Sequence, residues 1–295
     1  MKLWVTGARG FVGRHVCSAA AQAGHEVWAL HRPAAERDHT PTVGVREVAL
    51  DLTDRVGVTA LARTTAPDAI IHLAWYARPQ DYLNAPDNVE SLTTTLAFVS
   101  AALAGGCARM VGVGSCVEYA PLPRARREDD PIERCKHAAH LVLEEVFARE
   151  QKSLAWARLF HMHGPGENAA RLVPAVAAAL RAGRTFALSP GEQLRDHLDV
   201  RDVASALVHL AGSKVEGPVN VCSGRPVSLR ALLETIGTEL GRPELLAFGQ
   251  REYQAGEIMN LTGEPARLVA SGWSPAHGDL AVSLRQSIAV ATQAL

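Results

Sequence analysis

Short apolar runs alternate with longer stretches of helical periodicity from the first residue onward. Leu3-Trp4-Val5 reads as a buried strand and residues 11–23 as a helix ended by Gly24, a residue suited to the left-handed conformation. Strands are predicted over 26–30, 46–50, 69–74, 110–113 and 154–160. Helices are predicted over 56–65, 86–104 and 135–149. Strands that alternate with helices imply parallel pairing through right-handed crossovers, hence an α/β doubly wound parallel sheet. Past Gly164 the rhythm changes: helices are predicted over 172–181, 199–210 and 228–240, with a short strand at Val219-Asn220-Val221. No low-complexity linker sets this part off, so it reads as a smaller C-terminal lobe packed on the first.

Composition narrows the class. The chain has 295 residues, 47% of them apolar, with 30 Lys and Arg against 31 Asp and Glu. A net charge of -1 provides no basic field for a nucleic acid backbone, so no nucleic acid partner is expected. The longest apolar stretch, 172–180, falls well short of the ~20 residues of a membrane span. The opening segment turns polar at Thr6-Gly7, before an export signal's apolar region. The five cysteines, at 17, 107, 116, 135 and 222, form no Cys-x-x-Cys pair, so neither a metal site nor a disulfide framework is expected, and the location expected is cytoplasmic.

The first strand runs into Thr6-Gly7-Ala8-Arg9-Gly10-Phe11-Val12-Gly13. Three glycines at this spacing, between a first strand and a first helix, serve a tight turn, close backbone approach to a pyrophosphate and helix-on-strand packing. The free N–H groups of that helix would then face the phosphates. Cofactor contacts are therefore expected from Gly7, Arg9, Gly10, Phe11, Val12 and Gly13. At the end of the second strand, an acid would bind a free ribose 2′-hydroxyl and an arginine a 2′-phosphate. His31-Arg32 stands there, with Arg9 in reach, so NADP is favoured over NAD; a solvated strand-end charge is the plainer reading of Arg32. Asp51 and Leu52 are placed to meet the adenine, and Leu73, Ala74 and Trp75 to line the middle of the cofactor.

Further motifs follow: His72-Leu73-Ala74, Gly114-Ser115, Lys136-His137-Ala138-Ala139, Arg158-Leu159-Phe160 before Gly164-Pro165, the run Arg195-Asp196-His197-Leu198-Asp199-Val200-Arg201-Asp202-Val203-Ala204, and Gly217-Pro218-Val219-Asn220-Val221. With the phosphate loop, these make nearly the whole chain resemble the extended short-chain dehydrogenase/reductase family, which includes nucleotide-sugar epimerases, dehydratases and 4-ketoreductases. The resemblance implies a Rossmann lobe over 1–163 with a later contribution from about 198–222. It assigns a sugar-nucleotide lobe to 164–197 and 223–295, and places Phe160 among the cofactor contacts. It further implies a Ser, Tyr, Lys trio in which the Tyr exchanges a proton with the substrate oxygen and the Lys lowers the Tyr pKa and binds the nicotinamide ribose. A phenol of pKa ~10 needs such a cation to act near neutrality.

Ser115 and Lys136 match that trio, but four residues before Lys136 stands Ile132, which can neither donate nor accept a proton. No tyrosine lies between Tyr119 and Tyr253. Candidates for a substitute acid are Tyr119, Glu118, His161, His163 and Cys116, each with a plainer reading as packing or an inert buried group. Two other readings stay open: a site that binds but does not turn over, and hydride transfer set by Ser115 and Lys136 with the proton relayed by water. On the substrate side the resemblance assigns Arg195 to the nucleotide diphosphate, Arg251 as a second clamp, and Asn168, Arg171 and Leu172 to the sugar-nucleotide segment. The charge run over 124–130 reads as a solvated loop or a lid. The function expected is NADP-dependent reduction of a nucleotide-linked 4-keto-6-deoxy sugar by a homodimer. The alternatives are an NAD-dependent epimerase or dehydratase, or a non-catalytic binder of dinucleotide and sugar nucleotide.

Overall fold

The computed structural model describes residues 1–33, 42–78, 81–118 and 131–290. Seven strands, β1 (Lys2–Thr6), β2 (Glu26–His31), β3 (Val45–Ala49), β4 (Ala69–His72), β5 (Arg109–Ser115), β6 (Ser153–Leu159) and, later in the chain, Gly217–Val221, form one sheet. Its order is Gly217–Val221, β6, β5, β4, β1, β2, β3, and every pairing is parallel. The crossovers are α1 (Phe11–Gln22), α2 (Arg55–Thr65), α3 (Asp87–Ala104) and α4 (Pro131–Arg149). Because β1 lies between β4 and β2, the chain leaves in opposite directions on its two sides. That reversal opens a crevice at the carboxyl ends of the strands.

The alternation of β1 shows why both faces are covered. Leu3 and Val5 pack with Val16, Cys17 and Ala20 of α1 and with Ala204 and Leu207. Trp4, between them, packs on the other side with Ile70, Val58 and Phe98. A strand buried on both faces reads as an unbroken apolar run. Burying a side chain such as Leu3 contributes ~1.5–3 kcal/mol.

After β6 come β7 (His161–His163), α5 (Leu172–Arg181), β8 (Phe186–Leu188), β9 (Leu194–Asp199), α6 (Val200–Gly212), β10 (Gly217–Val221, the sheet strand above), β11 (Pro226–Ser228), α7 (Leu229–Glu239), β12 (Leu246–Phe248), β13 (Asn260–Leu261), α8 (Ala266–Ala270) and α9 (Leu280–Val290). A small second sheet centres on β9, which pairs with β7, β11 and β13. A separate apolar core joins α5, α7 and α9 through Val176, Leu180, Leu232, Ile236, Leu284 and Ile288. No helix among the described residues is long and apolar enough to cross a membrane.

Some boundaries differ from the sequence reading. β4 stops at His72 instead of 74, because the Leu73 and Ala74 N–H groups turn onto the Thr6 hydroxyl, at 3.1 and 3.2 Å. The strand predicted through Phe160 breaks after Leu159, where the Phe160 N–H bonds the Val221 carbonyl at 3.2 Å and the chain moves to the second sheet. α4 begins at Pro131, a turn earlier than expected, and so carries Ile132.

Asp199 ties this second half together. It caps α6 through the Arg201 N–H (2.8 Å), pairs with the Arg201 guanidinium (2.7 Å) and accepts from the Ser283 hydroxyl (2.5 Å), which also meets His163 Nε2 at 2.7 Å. Burial acts to raise its pKa, but the hydrogen bonds from Arg201 and Ser283 outweigh it and hold the carboxyl down to about 2. A carboxyl depressed by folding stabilises above its unfolded pKa and loses that stabilisation as pH falls through its folded value. Asp199→Asn is expected to lose roughly 2 kcal/mol at neutral pH. It should also flatten the decline of stability between about pH 4 and pH 2 in urea titrations.

Candidate active site

The phosphate loop is shaped by what its glycines leave out. Gly7 lies at φ +64, and a Cβ there would stand 2.9 Å from the Ala74 nitrogen; a Cβ at Gly13 would run into the Gly7 carbonyl oxygen and the Ala8 backbone. Only glycine lets α1 come this close to the end of β1. The helix starts at Gly10 with no side-chain cap and no acid in its first turn, which leaves its N–H groups and positive dipole end to an outside anion. This cradle fits a dinucleotide pyrophosphate.

A buried relay holds the loop against β4. The Thr6 hydroxyl accepts from Leu73 and Ala74, so its own proton goes to His72 Nδ1 at 2.8 Å, and His72 Nε2–H donates to the Thr95 hydroxyl at 2.9 Å. Burial, helped by the charge of Lys136, pushes His72 down to about 3, so it stays neutral.

At the outer end of the crevice, the end of β2 and the phosphate loop meet on a residue that sequence reasoning missed. Glu47 of β3 faces Arg9 at 3.2 Å and His31 at 3.3 Å. Its only sequence signal was an acid one strand over from His31. Arg32 is exposed beside Asp51, whose carboxyl accepts from the Thr53 N–H and hydroxyl and is held below the usual range by those bonds. Leu52 is buried.

Ser115 closes β5. Its backbone N–H donates to Glu118, a fully buried carboxylate, at 2.6 Å; the Trp156 indole donates to the same group at 2.8 Å and Arg158 lies 3.7 Å away. Glu118 is therefore a brace for Ser115. The Lys136 ammonium donates to the Val113 carbonyl at 3.3 Å and sits over the Trp75 ring at 5.3 Å. Burial lowers its pKa, and Glu118 opposes that shift. Ile132 is buried one turn before Lys136, on the same helix face. Burial raises the Cys116 thiol to about 12, which keeps it protonated and unsuited to act as a base. Cys116 packs with Phe160, Cys222 and Leu261. Tyr119 and the charge run over 124–130 lie outside the described residues.

Further groups come from the chain after β6. Arg195, nearly buried, pairs with Glu257 at 2.6 Å. Arg171 precedes α5 and lies over the Tyr82 ring at 4.5 Å. Burial and then the charges of Arg195 and Arg171 push His161 down to about 4, so at neutral pH it is an uncharged imidazole. Burial likewise takes His163 down to about 4. Glu167, unforeseen from the sequence except as the acid after Gly164-Pro165-Gly166, has a buried, unpartnered Oε2, and burial raises it to about 7 against the pull of Arg171. Asn168 is exposed and folds back on the Ala170 N–H at 2.9 Å, Leu172 packs against the α5–α7 core, and Arg251 is exposed. The structure thus brings the neutral His161 near the cations Arg195 and Arg171. Asn168 and Arg251 remain at the surface.

The model of the NAD dependent epimerase/dehydratase family matches residues 3–222. The chain belongs to this family. It is 28% identical to a GDP-6-deoxy-D-mannose reductase of Pseudomonas aeruginosa, over 97% of this chain and 94% of that one. It is 26% identical to a dTDP-4-dehydro-6-deoxy-D-allose reductase of Streptomyces bikiniensis, over 81% of each. The fold matches that of the Thermus thermophilus UDP-glucose 4-epimerase solved with NAD, with a TM-score of 0.84, 22% identity and full coverage of both chains.

The Glu118 brace leads to an expectation. In Glu118→Gln one amide N–H must face the Ser115 N–H or the Trp156 indole, both donors. A loss of ~1–3 kcal/mol is expected in urea unfolding. Unchanged stability would mean that the carboxylate does not hold Ser115.

Proposed function

We propose that the protein is an NADP-dependent reductase of a nucleotide-linked 4-keto-6-deoxy sugar. The observation that carries the reading is the uncapped glycine cradle of α1 opening onto the same crevice as Ser115 and Lys136, with Arg195 and Arg171 on the far wall. The likeness to the two named reductases supports the substrate class. In this reading residues 1–163 with about 198–222 form the cofactor lobe, and 164–197 with 223–295 the substrate lobe.

When bound, NADPH supplies a hydride to the substrate's carbonyl carbon. The amides of Gly10, Phe11, Val12 and Gly13 hold its pyrophosphate, Asp51 and Leu52 its adenine, and Leu73, Ala74, Trp75 and Phe160 line its path. Lys136 binds the nicotinamide ribose, and Ser115 donates a hydrogen bond to the carbonyl oxygen. Arg195 takes the nucleotide diphosphate, a role suited to a planar and permanently charged guanidinium, and gives up Glu257 to do so. Arg171, Asn168, Leu172 and Arg251 line the remaining substrate path. A homodimer through α3 and α4 belongs to the same reading, supported by the exposed apolar Val89 of α3 and Leu141 and Val142 of α4.

The choice of NADP rests on Arg9 and Arg32 at the ribose end. Glu47 favours a second reading, NAD, because a carboxylate there accepts from a free 2′-hydroxyl and repels a 2′-phosphate. Fluorescence titration separates the two. Arg32→Ala is expected to weaken NADPH about tenfold, ~1.4 kcal/mol, with NADH unaffected, whereas Glu47→Gln should shift the preference further toward NADPH. Protein purified with stoichiometric NAD and indifferent to NADPH would overturn the choice. For the reaction, a panel of GDP- and dTDP-linked 4-keto-6-deoxy sugars with NADPH is expected to yield the 4-hydroxy sugars; tight binding without turnover would overturn it.

A further inference from the structure

The reduction requires a proton at the carbonyl oxygen, and the family's position for its donor holds Ile132. The loop after β4 brings the backbone of Tyr82 and Leu83 against the first turn of α4. The Ile132 N–H donates to the Leu83 carbonyl at 3.3 Å, which sets Tyr82 next to the first turn of α4. On its other side, Asn88, fully buried, donates to the Tyr82 carbonyl at 2.8 Å and to the Ala85 carbonyl at 3.0 Å, and accepts from the Trp75 indole at 2.8 Å. The Trp75 ring is the one that faces the Lys136 ammonium. The Tyr82 backbone is thereby tied through Leu83 to the first turn of α4 and through Asn88 to the Trp75 ring that faces Lys136.

Two further observations concern the phenol itself. Arg171, from the opposite wall of the crevice, lies over the Tyr82 ring at 4.5 Å, so a permanent cation stands beside this tyrosine as a lysine does beside the family's own. Among the described residues, the Tyr76 hydroxyl is taken by Asp81 and that of Tyr253 by Glu192. Among the described residues, no side chain or backbone group bonds the Tyr82 hydroxyl.

We propose that Tyr82 is the proton donor of the reaction, in place of the residue at position 132, with Arg171 as its attendant cation. The assignment rests on the reductase reading above. In the step, the carbonyl carbon accepts a hydride, with its two electrons, from the reduced dinucleotide, while the carbonyl oxygen takes the Tyr82 proton. The phenol O–H bond breaks, the alcohol O–H and C–H bonds form, the dinucleotide is left oxidised, and the phenolate is reprotonated by water. His161 and Cys116 are less suited: the imidazole is uncharged at neutral pH and the thiol is enclosed among Phe160, Cys222 and Leu261.

The test is Tyr82→Phe in the full chain, which keeps the ring under Arg171. Turnover is expected to fall ~10²–10⁴-fold, with unchanged thermal stability and unchanged calorimetric affinity for NADPH and for the sugar nucleotide. Adding Ile132→Tyr to this variant is expected to restore part of the turnover, as a merely structural loss would not allow. If the double variant fails to fold, rescue of Tyr82→Phe by added imidazole buffer serves as the same readout. Full turnover by Tyr82→Phe overturns the proposal. So does a loss explained by weaker cofactor binding or stability, or a loss seen instead in Tyr119→Phe or Glu167→Gln. An idle wild type overturns the reductase reading itself, and the proposal with it.

Discussion

The contact on which the rest depends is that of Gly13 with the carbonyl of Gly7, where a helix begins directly on the end of a strand. A single methyl group there would force α1 away from β1. With α1 in place, the positive end of its dipole and its free N–H groups face the one point where the sheet order reverses. The Thr6, His72 and Thr95 chain then holds β4 beside the loop. His72 serves this role as a neutral ring, which its burial favours.

Around this anchor, burial decides which groups can move protons. Lys136 stays near the carboxylate that braces Ser115, so the two residues are coupled through Glu118. His161 and Cys116 carry suitable atoms, yet their surroundings hold one uncharged and the other protonated. Glu167 is shifted into the neutral range but faces Arg171. Tyr82, proposed above for the acid role, is held beside α4 by a loop.

The parts legible in the sequence were those set by local pattern. β1, β2, β4, β5 and β6 announce themselves as apolar runs because both faces of the sheet are covered, and the glycine spacing identifies the loop because no other residue tolerates the contact. β9 escaped because Arg195, Asp196 and His197 look like a surface turn. Their partners, Glu257 for Arg195 and Ser223 with Gly224 for Asp196, lie far along the chain. Glu47 and Tyr82 escaped for the same reason: the pairing of β3 with β2 brings Glu47 within reach of Arg9 and His31, and hydrogen bonds from Asn88 to Tyr82 and from Ile132 to Leu83 place the other. Local sequence carries no sign of either. Ser115, Lys136 and Ile132 stand out in the local sequence, whereas the placement of Tyr82 beside α4 is a matter of tertiary structure.

The most direct measurement is a crystal structure of the protein with NADPH. The pyrophosphate is expected on the amides at the start of α1 and the nicotinamide beside Ser115 and Lys136, with Arg195 and Arg171 left open across the crevice for a sugar nucleotide. A dinucleotide bound elsewhere, or with its nicotinamide turned away from Ser115 and Lys136, would contradict the assignment of this crevice as the reductase site.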